Sequence, residues 1–192
     1  MVGREWRVQV QRSVVRPDSL TRLAADGLGG PDAAEGPAKE VPELAQLSQF
    51  AGSWDGEVTV EPGDGSKGST SNGTTIGEWI LGGRFLQQSW TVEETEGFPG
   101  LKGTTLRTYD PERKLYRSWT FHSSGYTEAD RGTWDEKTRT FTWTGRDRTR
   151  DLTTTTKSSF PEEGQEQWSI VTKDSEGKVV VEVTGKSTRR EN

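Results

Sequence analysis

The sequence predicts an all-β protein, a roughly ten-stranded antiparallel up-and-down β-barrel preceded by a short helix. Three observations predict it. From Ser53 to Lys186, residues alternate with period two, the signature of half-buried strands. Turn signals interrupt the alternation at regular, short spacing, as in a meander of hairpins. A flat meander of that length would leave two open edges, and closing it on itself removes both. A β-sandwich is the alternative, because turn spacing alone does not separate the two.

The elements follow in order. Residues 1–40 read as a flexible leader. "RVQVQRSVV" (Arg7 to Val15) alternates and suits a short strand, but the Gly-, Ala-, Pro- and acid-rich stretch after it can bury no face. Residues 41–192 then form the barrel domain. In "PELAQLSQFAGSW", Leu44, Leu47 and Phe50 recur at helical spacing, with Pro42 at an early position and Gly52 as the stop. Strands are expected at Ser53–Glu61, Gly73–Leu81, Arg84–Glu93, Gly103–Tyr109, Lys114–Phe121, Tyr126–Trp134, Thr138–Gly145, Thr149–Ser158, Gln165–Lys173 and Lys178–Lys186. Gly82 and Gly83 supply positive φ for a tight hairpin. Asp110-Pro111 starts a type I turn. Gly177 is free to adopt the left-handed conformation in "KDSEGK".

Composition bounds the function. Hydrophobic residues are 28% of 192, so the 17 aromatic residues (8 Trp, 6 Phe, 3 Tyr) must carry much of the core. With no cysteine, disulfides, thiolate metal sites and cysteine nucleophiles are excluded. The net charge of −5, with both signs interspersed, argues against a nucleic-acid partner. No apolar run is long enough for a membrane-spanning helix, and the N-terminus has no apolar core of signal-peptide length, so a cytoplasmic location is expected. No oligomeric state follows from the sequence.

"GSWDGEVTV" (Gly52 to Val60) opens the first strand. Trp54, Gly56, Val58 and Val60 share one face, which should point inward, with Trp54 beneath the helix and Gly56 making room for its indole. A G-x-W at the start of strand one resembles the lipocalin and fatty-acid-binding (calycin) barrels. "EWILGGRFLQQSW" (Glu78 to Trp90), "TYDPERKLYRSW" (Thr108 to Trp119) and "EGKVVVEV" (Glu176 to Val183) resemble a bacterial family known as domain of unknown function 1579, from about Leu44 to Arg190. The resemblance implies a calycin-like barrel and no established activity. The chain departs from that family's pattern at Thr120 and His122, where the pattern has Trp and Asp, and in lacking a tyrosine just before Arg189.

Candidate chemistry starts from inward polar residues. Glu78 lies between Ile76 and Ile80 on one strand face, and Asp130 occupies a comparable place. Two inward carboxylates would serve hydrolysis or a metal, but no spacing motif supports either, and separate surface charges or ion pairs are the plainer reading. Arg117 alternates with Leu115, Trp119 and Phe121, and if these face inward the guanidinium needs a partner, either a ligand carboxylate or an internal Glu. Arg107 offers the same choice. The opposite parity, with Tyr116, Ser118, Thr120 and His122 inward, remains open. His122, the only histidine, suits a general base or an axial haem ligand. "GSWDG" partly resembles the G-x-W-x-G opening of nitrobindin, a haem-binding barrel, but its tyrosine-proline continuation is missing and no histidine lies in the last strands. No cofactor is therefore predicted, haem included, and no metal.

Three functions compete. The first is a module binding a small hydrophobic or amphipathic anionic molecule, its cavity lined by Trp54, Glu78, Leu86, Trp90, Arg107, Arg117, Trp119, His122 and Tyr126. The second is an enzyme, isomerase- or hydrolase-like, using His122 with Glu78 or Asp130. The third is a structural or protein-interaction barrel with a filled core.

Overall fold

The structure, a computed structural model, describes residues 36–191 except Gly97 and Pro99. Ten strands form a single closed antiparallel sheet: β1 (Gly52–Pro62), β2 (Ser69–Ile80), β3 (Phe85–Val92), β4 (Leu101–Asp110), β5 (Leu115–His122), β6 (Thr127–Asp135), β7 (Thr140–Asp147), β8 (Leu152–Ser159), β9 (Gln165–Lys173) and β10 (Val179–Arg189). Each strand pairs with its sequence neighbours, and β1 pairs with β10 from Trp54↔Arg189 to Pro62↔Val181. The barrel is the predicted architecture, and the sandwich alternative is excluded. The strand expected at Arg7–Val15 lies outside the described residues, as does most of the leader. Residues 36–40 pack on the barrel: the Ala38 N–H donates to Gly83 O at 2.9 Å and Arg84 sits 3.5 Å from Glu40.

The helix, Pro42–Phe50, is 3-10 rather than α. Leu44, Leu47 and Phe50 recur at intervals of three, and three residues per turn stacks them on one side. That side plugs the barrel, and all three are at most 1% exposed. Below them lie Trp54, Trp79, Leu86, Tyr116, Phe141, Trp143 and Phe160. Phe50 meets Phe160 edge-on at 5.0 Å and Phe141 at 5.3 Å, and Tyr116 meets Phe141 edge-on at 5.0 Å. Such pairs are worth about 0.5–1.5 kcal/mol each beyond the area they bury. Side chains from the wall satisfy the carbonyls at the end of the helix. Arg189 Nη2 donates to Gln49 O (3.0 Å), Gln88 Nε2 to Phe50 O (3.4 Å) and Trp54 Nε1 to Ala51 O (3.1 Å), while Tyr116 Oη donates to Glu43 O (2.9 Å). Gly52 is not a helix cap but the first residue of β1, at φ 95°. Gly56 makes room for Ser187 rather than for the Trp54 indole.

Pairing registers fix the inner face of every strand. Three glycines there stand directly across from tryptophans: Gly103 from Trp90, Gly132 from Trp143 and Gly185 from Trp168. A methyl group at any of them would collide with the facing indole. The glycines thus let the indoles lie flat against the wall instead of filling the bore.

Gly132→Ala should therefore destabilise the protein by about 1–3 kcal/mol, the range for overpacking, with a changed near-ultraviolet circular dichroism signal from Trp143. Gly36→Ala, where a methyl meets nothing within 4 Å, should stay within about 0.5 kcal/mol in the same urea titrations.

Candidate functional site

The plugged end is apolar, and polarity begins one layer above it. Arg107 on β4 projects inward, its guanidinium carbon 4.3 Å from the Phe50 ring centre and 5.4 Å from that of Trp143. The rest of the barrel encloses it. Its Nε and Nη1 are buried and meet no hydrogen-bond acceptor, and among the described residues no carboxylate lies within 4.0 Å of it. Burial lowers its pKa to about 10, so it stays a cation at neutral pH. Trp143 Nε1, in the ring beneath it, is likewise a buried donor with no partner.

Two carboxylates face this cation from a distance. Arg107 stands across from Ser118, Ser118 from Asp130, and Asp130 from Gly145, a row running over β4 to β7. Asp130 Oδ1 lies where a methyl group on residue 145 would sit, and a side chain there would make the carboxylate shift. Desolvation raises the Asp130 pKa to about 6, with Glu128 adding repulsion and Arg107 opposing the rise. Glu166 reaches in from β9. Burial raises its pKa, against the Ser158 hydroxyl and the Arg107 charge, which favour its ionised form. The next row up is satisfied internally, with Trp90 Nε1 donating to Thr105 Oγ1 (3.2 Å), itself 3.1 Å from Thr120 Oγ1.

The open end carries His122, with Trp90 edge-on at 5.2 Å, Tyr126 at 5.5 Å and Glu128 Oε2 3.9 Å from its unpartnered Nε2. Arg150 from the β7–β8 turn covers the Tyr126 ring at 5.3 Å. Here the wall is split. The β6–β7 ladder ends at Asp130↔Gly145, although β6 extends to Thr127 and β7 to Asp147. A cleft of about 630 Å³ occupies the gap, reaching from Phe121 and Arg148 outside to Glu128, Asp130 and Thr154 inside. Asp130 lines this side opening.

The barrel brings together Trp54, Leu86, Trp90, Arg107 and His122 on its inner face, with Tyr126 at the rim. It does not bring in Glu78, Arg117 or Trp119, which corrects the expected faces. On β2, Trp79 (5% exposed) takes the inside and turns Glu78, Ile76 and Ile80 outward. On β5 the inward set is Tyr116, Ser118, Thr120 and His122, so Arg117, Trp119 and Phe121 line the outside. A pairing of His122 with Glu78 is therefore excluded, and the carboxylate nearest His122 is Glu128. Glu166, Glu128 and Trp168 were not anticipated, and Ser118 faces inward in the β5 parity that the sequence left open. Glu166 shares a period-two face with Trp168 and Ile170, a signal equal to the one that singled out Asp130. Among the described residues no group of three His, Asp or Glu is placed to hold a metal, and no helix is long and apolar enough to cross a membrane.

A closed antiparallel meander plugged at one end by a short helix and open at the other defines a lipocalin-like barrel. Residues 39–170 match a family described as "Protein of unknown function (DUF1579)", and the chain belongs to that family. The match stops within β9, short of the "EGKVVVEV" segment and of the closing strand β10. Comparison with curated sequences gives no match. Among solved structures, Rv2717c from M. tuberculosis is similar at TM-score 0.61 and 12% identity, covering 79% of this chain and 99% of that one. The S-type phycobiliprotein lyase CPES from Guillardia theta is similar at TM-score 0.57 and 12% identity, over 76% and 91%. At that identity the likeness extends to the fold alone.

Asp130 also makes stability depend on pH. Its folded pKa of about 6 lies above the ordinary 3.8, so the native state binds its proton more tightly than the unfolded state does. The penalty for ionising it is absent below about pH 4 and complete above about pH 6, reaching at most about 3 kcal/mol. Asp130→Asn should therefore be more stable than wild type at pH 7, with the difference shrinking toward pH 4, as read by urea denaturation at each pH.

Proposed function

We propose that the barrel binds a small molecule carrying an anionic, acceptor-rich group, held against Arg107 with its apolar part among the aromatic rings. One observation carries the reading. An enclosed guanidinium keeps two nitrogens without acceptors. Leaving buried donors unmet costs about 1–3 kcal/mol each, and more for charged groups. Such a cation is retained where something else supplies the acceptors. Trp143 Nε1 beside it adds a third unmet donor, and the cleft beside β6 opens onto Asp130, two strands from Arg107 in the same cross-strand row.

The test is a pair of variants. Arg107→Met keeps the side-chain volume and removes the buried charge. It should weaken binding of long-chain monocarboxylates by roughly ten- to hundredfold while leaving the unliganded protein at least as stable as wild type. Arg117→Ala, on the outer face, should bind as wild type does. Intrinsic tryptophan fluorescence and thermal shift both report the outcome, and equal binding by Arg107→Met and wild type would refute the reading.

A second reading is favoured by His122, whose buried Nε2 lacks a hydrogen-bond partner 3.9 Å from Glu128. An acid–base pair at the mouth would act on a molecule held below it by Arg107. Chemical turnover that His122→Gln abolishes, with binding preserved, would identify it.

A further inference from the structure

We infer that the barrel takes up its anion together with one proton, and that the Asp130 carboxyl group receives the proton. This rests on the anion-binding reading of Arg107 and deepens it. The argument begins with counting charge. The enclosed groups around the guanidinium are one cation, Arg107, and two carboxyl groups, Asp130 and Glu166. With both carboxyls ionised, the chamber already holds a net charge of −1 before any anion arrives. A bound monoanion would make it −2 in a low-dielectric space, where like charges repel strongly. A proton taken from solvent restores the balance, and the only bond formed is O–H on a carboxylate.

Geometry selects Asp130 as that carboxylate. It is one cross-strand step past Ser118 from Arg107 and already feels the Arg107 charge, so an anion on Arg107 acts on it through the same field. It lines the opening at the end of the β6–β7 ladder, so solvent protons reach it there. Glycine at 145 reserves the space its oxygen occupies. The other titratable and charged groups around it are Glu128 on its own strand, Arg107 on β4, His122 at the end of β5, Arg146 and Asp147 at the end of β7, Glu166 on β9, and Tyr126, Arg148 and Arg150 at the rim of the cleft. From β8 the inward residues are Leu152, Thr154, Thr156 and Ser158, none of them charged. Of the carboxyls, Glu166 lies lower, near the plugged start of β9, and has the Ser158 hydroxyl as a partner.

The sign of the effect follows. In the free protein Asp130 titrates near pH 6, and a bound anion moves that value higher. Affinity should rise as pH falls from about 8 toward 6, by roughly tenfold per pH unit at its steepest, and level off below about 6. The probe is anilinonaphthalene sulfonate, an apolar anion whose sulfonate stays ionised throughout, so any proton taken up belongs to the protein. Fluorescence titrations of the full chain from pH 5 to 9 give the slope. Calorimetry near pH 7 in buffers of different ionisation enthalpy counts the protons. Wild type should take up close to one. Asp130→Asn should lose the slope and bind at pH 8 about as tightly as wild type does near pH 6. Glu166→Gln should keep the slope. A pH-independent wild-type affinity overturns the proposal, as does a slope that survives Asp130→Asn or disappears in Glu166→Gln. These outcomes are separable from failure of the binding reading itself: if Arg107→Met binds the probe as wild type does, or wild type binds none at any pH, that reading falls and this one with it.

Discussion

The hydrogen-bonded seam between β1 and β10 makes every other statement about this protein meaningful. Until those two strands meet, the sheet has edges and two equivalent faces, and nothing is inside. Once Trp54 stands opposite Arg189 and Val60 opposite Val183, the strict two-residue period assigns each side chain to bore or solvent. The end of the chain reinforces the seam. Arg189 lies over the Trp54 ring at 4.7 Å and reaches the helix carbonyl of Gln49, and Arg190 pairs with Asp55. The strand that seals the cylinder thus also fastens its plug.

Within that cylinder, polarity and stability pull in opposite directions. The lower third is packed with rings and leucines and contributes the bulk of the burial energy. Directly above it the chain places an arginine without acceptors, a glutamate and an aspartate, each of which an apolar residue would replace with a gain in stability. Frustration of this kind is concentrated on one layer and bordered by a gap in the wall, and it is the observation on which the proposed binding role rests.

Much of this was legible in the sequence. All ten strands and the helix exist in the expected order, because hairpin turns and period-two patterns are local properties, although β2 starts earlier, at Ser69, β8 later, at Leu152, and β10 runs on to Arg189. Facing was harder. On β5 the more apolar set, Leu115, Trp119 and Phe121, looked like the inside, but the polar set of Tyr116, Ser118, Thr120 and His122 lines the chamber. The rule that apolar residues face inward inverts along the strands that carry the polar layer above the plug. Glu78 misled for a similar reason: its two isoleucine neighbours cover the outer wall, while Trp79 decides the parity of the strand. Convergence of Arg107, Asp130 and Glu166 depends on registers between strands far apart in the chain, and no local pattern encodes it.

The flat-lying indoles have an optical consequence. Trp143 sits just above the plug, Trp168 partway up the bore and Trp90 two residues from the open end of its strand, each backed by a glycine on the neighbouring strand. They form a natural depth gauge, since a molecule descending the barrel passes the three rings in turn. Variants that keep one of these emitters at a time would show how far a guest sinks, without any attached dye.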